Sequence, residues 1–137
     1  MEPILHLSLP VHDLAEARRF YVEALGCTPG REYPDWCDVW FYGMQLTLQE
    51  RPDQLLADEL RGVRHFGVTL TGDELDRVLE QASRYQVRWL DPVTIDYAGT
   101  PQEQRKAKIL DPSGNAIELK AYVDREAAFA ADHRPPG

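Results

Sequence analysis

Two histidines and one glutamate in this sequence have the types and placement to act together: His6, His65 and Glu118. Each sits in a short run of β-forming character, residues 4–9, 64–70 and 117–122. Strand side chains alternate, so His6 shares a face with Ile4 and Ser8, and His65 with Gly67 and Thr69. Glu118 shares one with Lys120 and Tyr122, opposite Ile117, Leu119 and Ala121. Taken singly, a mid-strand glutamate is most often solvated, and a histidine is most often a hydrogen-bonded core or surface residue. Converging, two neutral imidazoles and one carboxylate form a 2-His-1-carboxylate set. That set suits a divalent transition metal, Fe(II) in particular, and leaves coordination positions open. The glutamate charge partly offsets the cost of stripping water from the cation.

The elements around these residues have to bring them together. After the first strand, Asp13 reads as an N-cap with Glu16 as its capping-box partner. The helix it starts carries Ala17, Phe20, Tyr21 and Ala24 along one stripe and stops at Gly26. Residues 31–33 suggest a short edge strand, and residues 37–42 and 45–49 a hairpin turning at Gly43-Met44. In the second of these strands Gln45, Thr47 and Gln49 share a face. Residues 51–63 read as a linker. A second cycle follows, with a helix capped by Thr71 or Asp73 and striped by Leu75, Val78, Leu79 and Ala82. Then come a short strand at 87–90, a long polar loop at 91–104, and a hairpin of 106–110 with 117–122. The hairpin turns through Asp111-Pro112-Ser113-Gly114-Asn115, where Gly114 or Asn115 takes a positive φ. Residues 125–132 suggest a short helix, and 133–137 a frayed end.

The order is therefore β-α-β-β-β twice: one module over about residues 3–50, another over 64–123, and a C-terminal turn and tail at 124–137. Residues 1–123 are read as one domain, because each module alone would leave a sheet face uncovered. His6 and His65 occupy matched places in the two modules, as do Thr47 and Glu118. Thr47 is a poor ligand for Fe, Mn or Zn, so a symmetric fourth protein ligand is missing. His12, His133, Cys27 and Cys37 are read as structural or surface residues.

Composition narrows the functional classes. A formal net charge of −8 over 137 residues argues against nucleic acid or an anionic membrane as partner. Two cysteines make no disulfide framework or metal knuckle, which points to a reducing cytoplasm. The N-terminal residues lack the features of a signal peptide, and no apolar run approaches the roughly 18 residues of a membrane span.

Three groups of segments carry a family resemblance. They are Leu5-His6-Leu7-Ser8-Leu9-Pro10-Val11 with Asp13-Leu14 and Arg19-Phe20-Tyr21, then Arg64-His65-Phe66-Gly67-Val68, then Leu110-Asp111-Pro112-Ser113-Gly114-Asn115 with Ile117-Glu118. In this order they resemble the vicinal oxygen chelate superfamily of glyoxalase, bleomycin-resistance and extradiol dioxygenase proteins. The resemblance implies an α+β fold in which two βαβββ modules form an eight-stranded cupped mixed sheet with flanking helices. It implies His6, His65 and Glu118 as metal ligands, with Fe(II) favoured and Mn(II), Zn(II) or Ni(II) as alternatives. It further implies a small-molecule substrate chelated through vicinal oxygens, and a homodimer. Glyoxalase-type members carry a glutamate where this chain has Thr47, which shifts the expectation toward an extradiol dioxygenase. A glyoxalase-type lyase, isomerase or thiol transferase stands second, and a drug-binding resistance protein third. Lys120 and Tyr122 are the candidate catalytic residues, with Gln45, Thr47 and Gln49 lining the cup and Tyr97 and Gln104 in a lid.

Overall fold

The computed structural model describes residues 1–129. The first module runs through β1 (His6–Val11), α1 (Leu14–Arg19), β2 (Thr28–Glu32), β3 (Trp36–Phe41) and β4 (Met44–Glu50). The second runs through β5 (Phe66–Leu70), α2 (Gly72–Arg84), β6 (Arg88–Asp96), β7 (Gln104–Leu110) and β8 (Ala116–Tyr122). Short 3-10 turns at Pro52–Gln54 and Asp58–Leu60 lie between them, and another spans Arg125–Ala128.

Helix starts follow the caps. The Asp13 carboxylate accepts the Glu16 N–H at 2.8 Å, and α1 then widens into a π-helical turn over Phe20–Ala24. Thr71, not Asp73, caps α2. Its hydroxyl oxygen accepts the Glu74 N–H at 3.2 Å, and the hydroxyl donates to the Glu74 carboxylate at 3.0 Å. The α2 stripe of Leu75, Val78 and Ala82 is buried, as its spacing requires.

The eight strands fall into two four-stranded mixed sheets of identical design, ordered β1-β4-β3-β2 and β5-β8-β7-β6. In each, the first strand lies parallel to the last and the rest are antiparallel. The expected α+β fold of paired βαβββ modules is therefore present. One apolar cluster joins them: Leu46 and Leu48 of β4, Ile117 and Leu119 of β8, Tyr21 from the turn after α1, and Leu75 and Val78 of α2. Both sheets turn their apolar faces to this shared core, so their polar faces remain outside it.

The expected polar loop at 91–104 is half strand. β6 continues through Asp91 and Pro92 to Asp96. It is an edge strand paired only with β7, and its register shifts between Trp89 and Asp91 and again between Asp91 and Thr94. A proline without an N–H is tolerated at such an irregular edge, so the breaker signal misled. The first module's edge strand also begins earlier than expected, at Thr28. The suggested helix at 125–132 is a four-residue 3-10 turn as far as Ala128, and residues 130–137 lie outside the described chain.

Candidate metal centre

The strand registers make the internal symmetry concrete. Ser8 of β1 stands opposite Thr47 of β4, and Gly67 of β5 stands opposite Glu118 of β8. His6 and His65 each precede those residues by two, which puts each imidazole one same-face step from the equivalent position. Gly67 makes the second pairing possible. A Cβ there would overlap the Glu118 backbone carbonyl, so only glycine lets β5 approach β8 this closely.

Around Glu118 two of the three candidate ligands come together. His65 Nε2 lies 3.8 Å from Glu118 Oε2. His65 Nδ1 is 2.7 Å from the Val63 carbonyl oxygen, and His6 Nδ1 is 3.1 Å from that of Gln45. A carbonyl can only accept, so both imidazoles donate Nδ1–H to backbone, and in the neutral ring the lone pair then lies on Nε2. This is the arrangement by which ligating histidines are usually oriented. The Glu118 side chain is only 12% exposed, yet it accepts no hydrogen bond from any described residue. Its nearest charged neighbours are Lys120 Nζ at 3.7 Å and Lys108 Nζ at 3.9 Å. A poorly exposed carboxylate that accepts no protein hydrogen bond, beside an imidazole nitrogen, fits a cation. His65, Gly67, Thr69, Glu118 and Lys120 line a hollow of about 230 Å³ there.

His6 is not part of this hollow. It stands on the polar face of the first sheet, and no three His, Cys, Asp or Glu side chains converge among the described residues. One chain thus brings two of the three candidate ligands together and presents the third on a separate surface.

The first sheet holds a residue the sequence reading passed over. Asp38 of β3 is 2% exposed and lies opposite Thr47 in the register. Its carboxylate accepts hydrogen bonds from the Thr47 hydroxyl at 2.7 Å, Arg31 Nε at 2.7 Å and Gln45 Nε2 at 3.3 Å. Burial pushes the Asp38 pKa up, but these bonds and the Arg31 charge outweigh it and hold the group below the usual carboxylate value. Thr47 and Gln45 are therefore committed to Asp38, while Gln49 donates to Ser8 Oγ at 2.6 Å. The signal for Asp38 was a lone acid between Cys37 and Val39 on a β-rich run.

Lys120 sits beside Glu118 and also over the Tyr122 ring, 5.8 Å from its centroid. Gln104 begins β7 and is buried, so it does not belong to a loop. Tyr97 sits in the turn after β6 with a φ of 55° and accepts the Thr100 hydroxyl at its carbonyl. Neither residue lines the hollow beside Glu118.

Two βαβββ modules, each with a histidine just before or at the start of its first strand, and a carboxylate in the last strand of the second, define the class of protein by fold and residue placement. The chain belongs to the Glyoxalase/Bleomycin resistance protein/Dioxygenase superfamily, whose family profile matches residues 3–119. It is 31% identical to a glyoxalase/bleomycin resistance protein/dioxygenase from Alicyclobacillus acidocaldarius, covering 91% of this chain and 95% of that one with a TM-score of 0.81. Two further structures share the fold at lower identity. A FosX fosfomycin resistance protein variant from Listeria monocytogenes, complexed with Mn(II) and 1S,2S-dihydroxypropylphosphonic acid, is 17% identical, covering 87% and 91% of the chains with a TM-score of 0.68. A lactoylglutathione lyase from Agrobacterium tumefaciens is 18% identical, covering 88% and 94% with a TM-score of 0.60. Comparison with curated proteins gives no match. Among the described residues no helix is long and apolar enough to cross a membrane.

Proposed function

We infer that this protein is a metal-dependent enzyme that holds a small substrate through two adjacent oxygens, with His65 and Glu118 of one chain and His6 of a second copy as its protein ligands. The observation that carries this reading is the Glu118 carboxylate, poorly exposed and without a hydrogen bond, 3.8 Å from the free nitrogen of His65. The same geometry supports a homodimer. Each chain offers an incomplete set on the second sheet and the missing imidazole on the outward face of the first. Exposed Trp89, Leu90, Val93 and Ile95 along β6 supply apolar surface for such a partner to cover.

A divalent metal bound there would supply Lewis acidity and a template for the substrate oxygens, with positions left over for O₂ if it is Fe(II). Lys120, beside the carboxylate, is placed to hold or deliver a proton at a substrate oxygen, and Tyr122 flanks it. Gln49 and Ser8 of the partner's first sheet would form the opposite wall. With Thr47 committed to Asp38, no fourth protein ligand arises, which favours ring-opening dioxygenation by an extradiol-type site. A lyase, isomerase or transferase using Mn(II), Zn(II) or Ni(II) is the second reading. It is favoured by the Lys120 ammonium, a ready acid for reactions that need no oxidant.

Elemental analysis of the purified protein tests the metal. About one divalent metal per chain is expected, falling at least tenfold in affinity for His65→Ala and Glu118→Ala with the fold kept. Metal content unchanged by both substitutions would sink the reading. Oxygen uptake with Fe(II) and a panel of catechols separates the two reactions, because the second proceeds anaerobically.

A further inference from the structure

Of the 15 Lys and Arg residues only three are lysines, and all three stand on the polar face of the second sheet around Glu118. Lys106 faces Lys120 directly across β7 and β8, and Lys108 faces Glu118. Like charges placed directly opposite each other cost stability, so this arrangement is not what folding alone would select. Nor is it a generic basic surface, because every other fixed cation of this acidic chain is an arginine. A lysine offers a compact charge and three rotatable donors on a flexible stem, which suits a small ligand that must be reached from several sides.

The charge balance says what the face lacks. Lys106 Nζ is 2.7 Å from Asp96, Lys108 Nζ is 3.5 Å from Asp91 and 3.9 Å from Glu118, and Lys120 Nζ is 3.7 Å from Glu118. Three ammonium groups meet three carboxylates, so the face is neutral. A divalent cation on His65 and Glu118 would leave it with two positive charges in excess. It would also draw on the Glu118 charge that Lys108 and Lys120 now share. A metal-bound imidazole of His6 would add no charge, and on the first sheet Asp38 is already balanced by Arg31 at 2.7 Å. The surplus has to be met by the substrate.

We propose that the substrate is a small anion, bearing a carboxylate or phosphonate-type oxyanion beside its chelating oxygens, and that Lys106, Lys108 and Lys120 form its subsite. This rests on the metal reading above and is compatible with either reaction, since an acidic ring substrate and an acidic aliphatic one both satisfy it. Metal and anion then bind cooperatively, because each relieves the charge excess that the other would otherwise face.

Water-proton relaxation of the full-length protein loaded with Mn(II) reads both affinities without turnover. Glycerate and 2,3-dihydroxypropylphosphonate carry an oxyanion beside two vicinal hydroxyls, and glyceramide offers the same two hydroxyls without charge. The ratio of anion to glyceramide affinity is expected to fall at least tenfold in a triple Lys106→Gln, Lys108→Gln, Lys120→Gln variant. Mn(II) alone should bind that variant severalfold more tightly, since three repelling charges are gone. Whichever anion loses more identifies the carboxylate or phosphonate source. Should the triple variant not fold, Lys120→Gln alone is expected to lower the ratio about threefold. An unchanged ratio, with Mn(II) still bound at one per chain, overturns the anionic subsite alone. Failure of the unmodified protein to bind Mn(II) overturns the metal reading, and the subsite with it.

Discussion

The Asp111 carboxylate, at the turn between β7 and β8, accepts four hydrogen bonds. They come from the Tyr21 hydroxyl at 2.7 Å, the Ser113 N–H at 2.8 Å, the Asn115 N–H at 2.9 Å and Asn115 Nδ2 at 2.8 Å. Asn115 Nδ2 also reaches the Pro10 carbonyl at 3.1 Å, and Ser113 Oγ accepts the His12 N–H at 2.8 Å. One buried acid thus shapes its own turn and ties it to the helical segment and first strand of the other module. Burial, and then the neighbouring Asp111 charge, hold the Tyr21 phenol well above the ordinary tyrosine value of 10.0. Tyr21→Phe should cost about 2 kcal/mol at neutral pH, the worth of a bond to a charged acceptor, read from denaturant midpoints. The pH dependence has a defined sign. A raised folded pKa gives stability that is intact below pH 10.0 and declines above it, once the unfolded phenol ionises and the buried one cannot. The substitution should flatten that alkaline decline. An equally steep decline would show that Tyr21 is not its source.

Among the elements, the pairing of β5 with β8 matters most, because it aims His65 at Glu118. It depends on Gly67, whose missing side chain makes room for the facing backbone. Gly67→Ala should destabilise the protein by about 2 kcal/mol, in the range of overpacked sites, and should weaken metal binding at the same time. A melting-temperature drop with metal affinity unchanged would show that β5 yields without moving His65. β6 illustrates the converse, an element that tolerates irregularity. At the sheet edge, Pro92 and two register shifts leave the pairing with β7 in place.

At the scale of the whole molecule, the two polar sheet faces lie outside the shared core, so on the reading proposed above the three-residue ligand set is completed only by a second copy. Mixing supplies the test. When His6→Ala and Glu118→Ala chains are co-expressed, random pairing gives heterodimers in which one of the two sites is whole. About a quarter of the full metal complement should return, although either variant alone binds none tightly. No recovery, or a sedimentation profile of monomer only, would place the third ligand elsewhere. The anionic subsite belongs to this scale as well, since its charge surplus exists only once the faces and the metal are considered together.

The repeat of β-α-β-β-β, the capped helices, the matched places of the histidines and the face that Glu118 shares with Lys120 and Tyr122 were legible in the sequence because they are local. Alternation, cap chemistry and turn residues act over a few neighbours. The symmetry of His6 with His65 and of Thr47 with Glu118 was readable for the same reason, since repeated local patterns imply repeated registers. Asp38 and Asp111 were not legible as hubs. Their meaning lies in donors on other strands and in a tyrosine 90 residues away, and no spacing encodes such contacts. The extension of β6 through Pro92 depended on its place at a sheet edge, which only the strand order decides. The tertiary structure alone decided that His6 parts from His65 and Glu118 within a chain, because both apolar sheet faces are drawn to one core and the polar faces are turned away from it.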